Sequence, residues 1–264
     1  MPNYYAHLQF GIQVLAALPE TLRARLEEER DAYTLGQYGP DPLFFYHPIR
    51  CRSVRAAGVE MHRHSPRPVM ERLRRAVEEN RAFSSGYAAG FLCHFALDSR
   101  CHAYIKQRAA DSQIVHTCIE SEFDRFLMAR NGVDPSRETA MPAPEMPDSF
   151  YDLLERYVYP GIQGRQYREG LRFYQKLCGW HTRAAGRKLS GGCLDLAAKV
   201  APRGAWFRDL VLKREADPAF GACNEELLTF LQEEAAVTAE KLNAFFNGKS
   251  LGPWFDRDFH GRVL

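Results

Sequence analysis

The sequence has 264 residues, with 35 basic and 33 acidic side chains, a formal net charge of +2 and 45% hydrophobic residues. This near-balance of charge excludes the general electrostatic attraction to nucleic acid or anionic membranes that strongly basic proteins show. No apolar run reaches the roughly 20 residues of a membrane-spanning helix, and the length suits one well-buried domain or two small ones.

Cysteine usage and the N-terminus indicate the compartment. The seven cysteines form an odd number and include no Cys-x-x-Cys pair, so we expect no disulfide framework. The first residues lack the basic and apolar regions of a signal peptide. We therefore expect a soluble cytoplasmic protein with no transmembrane segment.

The first third of the chain alternates helical patterns with one irregular stretch. A helix is predicted from Asn3, a suitable N-cap, to about Leu18, and a charged helix follows over 21–26. Two glycines and two prolines make 36–42 an irregular segment. The next helix is predicted from Pro68 to Asn80, because proline favours the first helical turn.

The middle of the chain holds the most apolar segment. From Ser85 to Lys106, apolar residues occur on nearly every side of a predicted helix, which is typical of a helix buried at the centre of a fold. Asp111 or Ser112 is the predicted N-cap of the following helix, which extends past Leu127.

The second half reads as a proline-rich loop followed by further helices. The loop spans 135–148, and helices are predicted at 149–159, 165–178 and 224–246. We therefore expect one all-α domain over 1–264, a multi-helix bundle around the buried central helix. Residues 131–264 supply additional helices, to which no motif assigns a role.

Two histidine–acid pairs carry the chemical signal. His94 and Asp98 are four residues apart, and His116 and Glu120 repeat that spacing. Residues four apart lie on one helix face with Cβ atoms about 5–6 Å apart, so both side chains of a pair can reach one cation. Imidazole and carboxylate are ordinary zinc ligands.

His102 extends the first pair into a row on one helix face. The eight residues from His94 to His102 span about 12 Å, too far for one tetrahedral ion. The row therefore favours more than one metal, with Asp98 bridging two ions and His102 serving another ion with the His116 pair. Further ligands are expected among other groups of the N-terminal half: His7, Asp41, His62, and His64 or His47.

The expected burial of Asp98 favours a metal site over an ordinary hydrogen-bonded helix pair. A single His-x-x-x-Asp pair is usually a hydrogen-bonded helix pair or a cap. An unpaired Asp98 inside an apolar helix would be costly, however, and Arg100 points elsewhere, so a metal is the better partner. We expect Cys93, Cys101 and Cys118 to act as small hydrophobic residues.

Several other side chains allow two interpretations each. Asp124 continues the His116 face and either orients a histidine ligand or pairs with Arg125 or Arg130 at the surface. Five aromatic residues lie at the start of the chain or shortly after Asp41, and for them core packing is favoured over lining a substrate cleft. Those residues are Tyr4, Tyr5, Phe44, Phe45 and Tyr46. Three histidines show no partner pattern and are expected to be structural or exposed: His47, His181 and His260.

Residues 1 to about 130 resemble the zinc-dependent phospholipase C family, whose fold is shared with fungal single-strand nucleases. The resemblance rests on the order and type of a set of residues taken together. They are His7, Gly39-Pro40-Asp41, Met61-His62, His94-x-x-x-Asp98 with His102, and His116-x-x-x-Glu120.

This resemblance implies an all-α bundle with a trinuclear zinc site. It implies one ion on His62, His94 and Asp98, with Asp41 beside it as ligand or general base. It implies a second ion on the set His102, His116 and Glu120. A third would bind His7, Asp98 and the N-terminal amine and carbonyl. Family members present an N-terminal tryptophan there, whereas this sequence has Met1-Pro2.

The function so implied is hydrolysis of a lipid or small-molecule phosphodiester by two or three zinc ions. Two alternatives stay open at this point. The same site on the same fold would serve a nuclease, although only Arg72, Arg74 and Arg75 form a small basic cluster. A non-catalytic helical protein with structural metal is the other. Partner proteins are not indicated.

Overall fold

The computed structural model describes residues 4–264 except 49, 81, 113–114, 136, 138–140, 186–211 and 214. This part of the chain consists of helices joined by turns and contains no β-strand, so the all-α prediction is confirmed. None of its helices combines the length and apolar character needed to cross a bilayer.

The α-helices are numbered here in chain order over the described residues. They are α1 (Tyr4–Ala17), α2 (Glu20–Glu28), α3 (Arg30–Gln37), α4 (Pro42–Phe45), α5 (Arg52–Arg63), α6 (Arg67–Glu79), α7 (Ser85–Ser112), α8 (His116–Arg130), α9 (Asp148–Tyr157), α10 (Gly164–Ala185) and α11 (Gly221–Phe246). Short 3₁₀ turns cover Pro218–Phe220 and Pro253–Phe255.

Helix α7 is the centre of the bundle, as its all-round apolar pattern predicts. Every residue from Ser85 to Ser99 is buried, and the helix contacts α1, α3, α6, α8 and α11. Its last turns emerge from the core and are mostly exposed. The buried half therefore places His94 and Asp98 at the middle of the molecule.

The closest helix pairing in the bundle brings α3 against α7. A Cβ atom on Gly36 would lie 2.3 Å from the carbonyl oxygen of Tyr87, and one on Gly90 would lie 2.1 Å from that of Tyr33. Only glycine allows two backbones to approach this closely. As a result, the turn that follows α3 lies directly beside the histidines of α7.

The structure differs from the predicted elements in the region that joins α7 to α8. Asp111 and Ser112 do not cap the next helix, because α7 continues through Ser112 and α8 begins at His116 after the extended residue Val115. The hydroxyl of Ser112 instead donates to the carbonyl of Arg108 within the last turn of α7. Asn3, the predicted cap of α1, lies outside the described residues.

Two shorter differences lie near the site. Helix α5 was not predicted, because only Val54 among its three buried residues is a large apolar side chain, the other two being Gly58 and His62. Helix α3 extends through Gly36 and Gln37, into the stretch expected to be irregular. Contact with α7 compensates for the low helix propensity of glycine there.

Candidate metal centre

The histidines and acids of α7 and α8 converge on the buried face of α7. Oδ1 of Asp98 lies 3.4 Å from Nε2 of His7 and 3.5 Å from Nε2 of His102. Oδ2 of the same carboxylate lies 3.4 Å from Nε2 of both His62 and His94. Asp98 thus faces four imidazoles, two on each oxygen.

Three groups of potential ligands can be separated, and in each the ligand atoms lie within 4.8 Å of one another. The inner group is His62, His94 and Asp98; the outer group is His102, His116 and Glu120; the N-terminal group is His7, Asp41 and His94. All eight sequence-predicted residues therefore belong to one connected cluster.

Both histidines of the inner group are oriented by backbone carbonyls. Nδ1 of His62 donates to the carbonyl of Gly58 at 2.7 Å, and Nδ1 of His94 donates to that of Gln37 at 3.0 Å. With the proton held on Nδ1, the Nε2 lone pair faces the centre. This is the arrangement by which proteins prepare histidine to bind a metal.

The outer group is less enclosed. Nδ1 of His102 donates to the carbonyl of Phe259 at 3.0 Å, and its Nε2 lies 3.3 Å from Oε1 of Glu120. His116 contacts the same oxygen at 2.8 Å, a direct hydrogen bond, and its side chain is 24% exposed. This end of the cluster is therefore the one that opens toward solvent.

The spacing fits zinc. Two ligand atoms at about 2.1 Å from a tetrahedral ion are about 3.4 Å apart. The contacts of Asp98, and that between His102 and Glu120, lie between 3.3 and 3.5 Å, longer than ordinary charge-assisted hydrogen bonds. Only the His116–Glu120 contact is shorter.

Several buried polar atoms of the cluster have no hydrogen-bond partner among the described residues. They are Nδ1 of His7, Nε2 of His62 and His94, Oδ2 of Asp98 and Oε2 of Glu120. Such atoms are costly unless something satisfies them. The ion pairs of Asp98 and Glu120 within the described residues involve histidines alone, and a metal cation would satisfy the unpartnered atoms of both the acids and the imidazoles.

The protonation states reflect the same crowding of acids and imidazoles. Burial, with His94 nearby, lowers the pKa of His7 to about 4 and keeps its imidazole neutral. Although burial alone would lower it, contacts with Asp41 and Asp98 raise the pKa of His62 to about 9. His116 and His102 hold the pKa of Glu120 well below its usual range despite burial.

The sequence profile described as zinc-dependent phospholipase C matches residues 6–168, more than half of the chain. The chain belongs to the zinc-dependent phospholipase C family. Searches of curated proteins and of solved structures found no match. The family match and the three ligand groups agree with zinc as the bound metal.

Within this family site, the loop that carries Asp41 is held by residues from the second half of the chain. Gly39 has φ = 50°, and a Cβ there would lie 2.5 Å from the His94 ring. Its carbonyl accepts hydrogen bonds from the hydroxyls of Tyr159 at 2.7 Å and Tyr167 at 2.9 Å. Helix α10 and the turn before it thus fix the position of Asp41.

Both sequence interpretations of Asp124 are wrong. Its carboxylate is buried and accepts backbone N–H bonds from Tyr5 at 3.1 Å and Ala6 at 2.9 Å. The side chain contacts no ligand imidazole, and Arg125 instead pairs with Glu122. Asp124 caps the first turn of α1, which carries His7, because the free N–H groups at a helix start attract a carboxylate.

The remaining histidines differ in exposure and in their distance from the cluster. The side chain of His64 is 70% exposed and faces Glu60, whereas His47 is exposed beside Glu169, so neither belongs to the cluster. His260 is half-buried beside the ring of His102, at 5.3 Å between ring centroids, which its sequence context did not indicate. The side chain of His181 and the N-terminal amine lie outside the described residues.

Most of the cysteines and aromatic residues mentioned above pack in the core, as expected from the sequence. Cys93 is buried against the hydroxyl of Tyr33, away from the ligands, and burial raises its pKa to about 12. No disulfide joins the six cysteines in the described part of the chain. Phe45 packs in the core on Tyr174, while Phe44 lies 5.3 Å from the His62 ring and lines the centre.

Proposed function

We propose that this chain is a zinc-dependent phosphoric diester hydrolase of phospholipase C type. One observation supports this most strongly: imidazole nitrogens and carboxylate oxygens lie within 4.8 Å of one another in three groups, and several of these buried atoms have no hydrogen-bond partner among the described residues. Family membership supports zinc as the metal and a phospholipid headgroup ester as the substrate class. The cytoplasmic location expected from the cysteines stays a prediction.

The three groups supply the ligands of two or three ions. In this proposal the inner group holds one ion and the outer group holds a second. His7 would serve a third ion, which shares Asp98. The position of Asp98 between four imidazoles supports its role as the bridging carboxylate.

Zinc supplies Lewis acidity, which polarises a phosphoryl oxygen, offsets developing negative charge and lowers the pKa of water toward 7. We assign to Asp41 the removal of the proton from the attacking water. Its Oδ1 lies 3.4 Å from Nε2 of His62, and the side chain is buried. The reaction breaks the bond between phosphorus and the leaving oxygen, giving a phosphomonoester and an alcohol.

Aromatic rings limit the access of bulk water to the inner group. Phe44 and Phe259 lie 5.3 and 5.0 Å from the His62 ring, measured between centroids. The exposed edge of His116 leaves the outer group as the side from which a substrate can approach.

Neither alternative function gains support from the described residues. Two of the three arginines in the basic cluster of α6 hydrogen-bond to the backbone: Arg72 donates to the carbonyl of Tyr157 and Arg74 to that of Lys249. The cluster therefore does not present three free guanidinium groups to a phosphate backbone. Structural zinc sites usually have four protein ligands, whereas each group here offers three, which favours catalysis over a structural role.

The proposal is tested by incubating the protein with phosphatidylcholine vesicles and measuring release of the phosphorylated headgroup. We expect release that stops with chelator and returns with zinc. Asp98→Asn should abolish it, together with most bound metal, because both oxygens of this carboxylate face ligand histidines.

The matched control is Asp111→Asn, an exposed carboxylate on the same helix, which should retain activity. Equal release by wild type and Asp98→Asn would refute a metal-dependent reaction at this site. Cleavage of single-stranded nucleic acid without headgroup release would replace this substrate class with the nuclease alternative.

A further inference from the structure

The last residues of the described chain form a small hairpin against the metal centre. We define the C-terminal hairpin as residues 256–264. The N–H of Leu264 donates to the carbonyl of Asp256 at 3.0 Å, and Arg257 and Val263 form an antiparallel bridge. Phe259, at its tip, is fully buried. The hairpin lies well outside the range matched by the family profile, which ends at residue 168.

One buried carboxylate fixes the shape of the hairpin tip. Oδ1 of Asp258 accepts the backbone N–H groups of His260 and Arg262, each at 2.9 Å. Its Oδ2 accepts the Arg262 side chain at 2.7 Å, but that side chain is 60% exposed, so the ion pair contributes little. The two backbone contacts hold the peptide on either side of Phe259 in one conformation.

The tip is also fixed against the helices that carry the ligands. The N–H of Phe259 donates to the carbonyl of His62 at 3.2 Å. A Cβ on Gly261 would lie 2.4 Å from the carbonyl oxygen of Ser99, so the hairpin touches α7 directly. At its base, Arg67 donates to the carboxylate of Asp256 at 2.9 Å.

These contacts place the carbonyl of Phe259 beside the ring of His102, where it can fix the orientation and tautomer of that ring. The carbonyl of Phe259 accepts the Nδ1 proton of His102 at 3.0 Å. Without this acceptor, a buried N–H would lose its partner and the ring would be free to turn or to change tautomer. The ring of Phe259 also packs on His62 and His94, at 5.0 and 6.0 Å between centroids.

We propose that the C-terminal hairpin is a positioning element of the zinc centre, in which the carbonyl of Phe259 fixes the orientation and tautomer of His102. The outer group thus depends on a segment that contributes no ligand. This inference rests on the proposed zinc centre, and its test separates the two.

The test uses variants that change the hairpin but no ligand. Asp258→Ala removes both backbone contacts that fix the tip, whereas Asp258→Asn keeps an oxygen that can accept them. Gly261→Ala displaces the hairpin from α7 by a different route, and serves if the first variant does not fold. His260→Ala is the control for loss of a side chain next to His102 without loss of the Phe259 carbonyl.

Two measurements are made on zinc-loaded protein whose fold is checked by circular dichroism. Competition with a chelator gives the affinity of each zinc equivalent, and nitrogen NMR of histidine-labelled protein reports which ring nitrogen of His102 carries the proton. We expect Asp258→Ala and Gly261→Ala to weaken one equivalent by about 10–100-fold and to shift the His102 signal. Asp258→Asn and His260→Ala should stay close to wild type.

Unchanged affinity and an unchanged His102 signal in both hairpin variants would overturn the positioning role. Loss of zinc in His260→Ala would overturn it as well, because the hairpin would then act through that imidazole. If the wild-type protein itself bound no zinc, the proposed function would fail first, and the hairpin inference with it.

Discussion

The inner and outer ligand groups lie side by side, with Asp98 of the inner group in contact with His102 of the outer one, but they differ in how they are held. The two inner histidines lie in the bundle, where His62 is oriented by a carbonyl of its own helix α5 and His94 by the carbonyl of Gln37 at the end of α3. In the outer group, only His102 has such a carbonyl, and it comes from the distant C-terminal hairpin. His116 is partly exposed and hydrogen-bonded directly to Glu120.

The inner and outer groups therefore differ in how far they are pre-organised to bind an ion. The inner group is pre-organised and shielded, which suits an ion that stays bound and supports the fold. The outer group is open and must rearrange slightly to admit an ion, because the His116–Glu120 contact is shorter than two ligands of one zinc allow.

Removing one histidine from the inner group and one from the outer group should lower zinc content and melting temperature to different extents. This difference is the largest effect we expect. His94→Ala removes a residue that the inner and N-terminal groups share. It should lower zinc content by at least one equivalent and also lower the melting temperature. His116→Ala should lose the outer ion while the fold stays close to wild type.

Elemental analysis and thermal unfolding of both variants, purified without chelator, measure this difference. Equal losses of zinc and of melting temperature in the two variants would show that the inner group has no special structural role.

The turn before Asp41 gives a second way to test the inner group. Gly39→Ala places a Cβ against the His94 ring in a residue with φ = 50°. Gly132 is the matched control, because it has φ = 73° but nothing within 4 Å of its Cβ position. Both alanine variants carry the backbone strain, so their difference isolates the clash with the ligand histidine.

We expect Gly39→Ala to be less stable than Gly132→Ala by about 1–3 kcal/mol in urea unfolding, and to bind zinc more weakly. Two variants with the same stability and zinc affinity would argue against rigid packing of this turn on the centre.

The cap on α1 should give a smaller, pH-dependent effect. Burial raises the pKa of Asp124 to about 8, although the amides of Tyr5 and Ala6 oppose this shift. The unfolded value is about 4. Between these values the folded state binds one proton more, so the stability contributed is greatest below about pH 4 and is lost as pH rises through about 8.

Asparagine cannot titrate, so the stability of wild type relative to Asp124→Asn should fall by about 1–2 kcal/mol between about pH 6 and about pH 7. Urea unfolding at both pH values measures it, with the exposed Asp111→Asn as the control. Parallel curves for wild type and Asp124→Asn would mean that the Asp124 carboxyl does not change protonation in this range.

The ligands could be predicted from the sequence, whereas the groups that orient them could not. The His94, Asp98 and His102 row is readable because helical periodicity converts spacing into a shared face. The carbonyls of Gln37 and Phe259 leave no trace in spacing, because any residue offers a carbonyl and only the tertiary fold decides where it points.

Contacts that only the tertiary fold creates also explain the residues that were predicted wrongly or missed. Asp124 reads as a continuation of the His116 face, but its partners are backbone amides of α1, more than 100 positions away. Tyr159 and Tyr167 hold the Asp41 loop through hydroxyl groups whose target is a glycine carbonyl. The all-round apolar composition of α7 made the central helix recognisable, whereas α5 was missed because a glycine and a histidine supply most of its buried face.

The most direct test of the central claim is the metal content of wild-type protein without tags, purified without chelator and measured by elemental analysis. The account predicts two or three equivalents of zinc per chain. A folded protein with only trace metal would contradict it, because the buried carboxylates would then have histidines as their only partners and the proposed hydrolysis would have no metal centre.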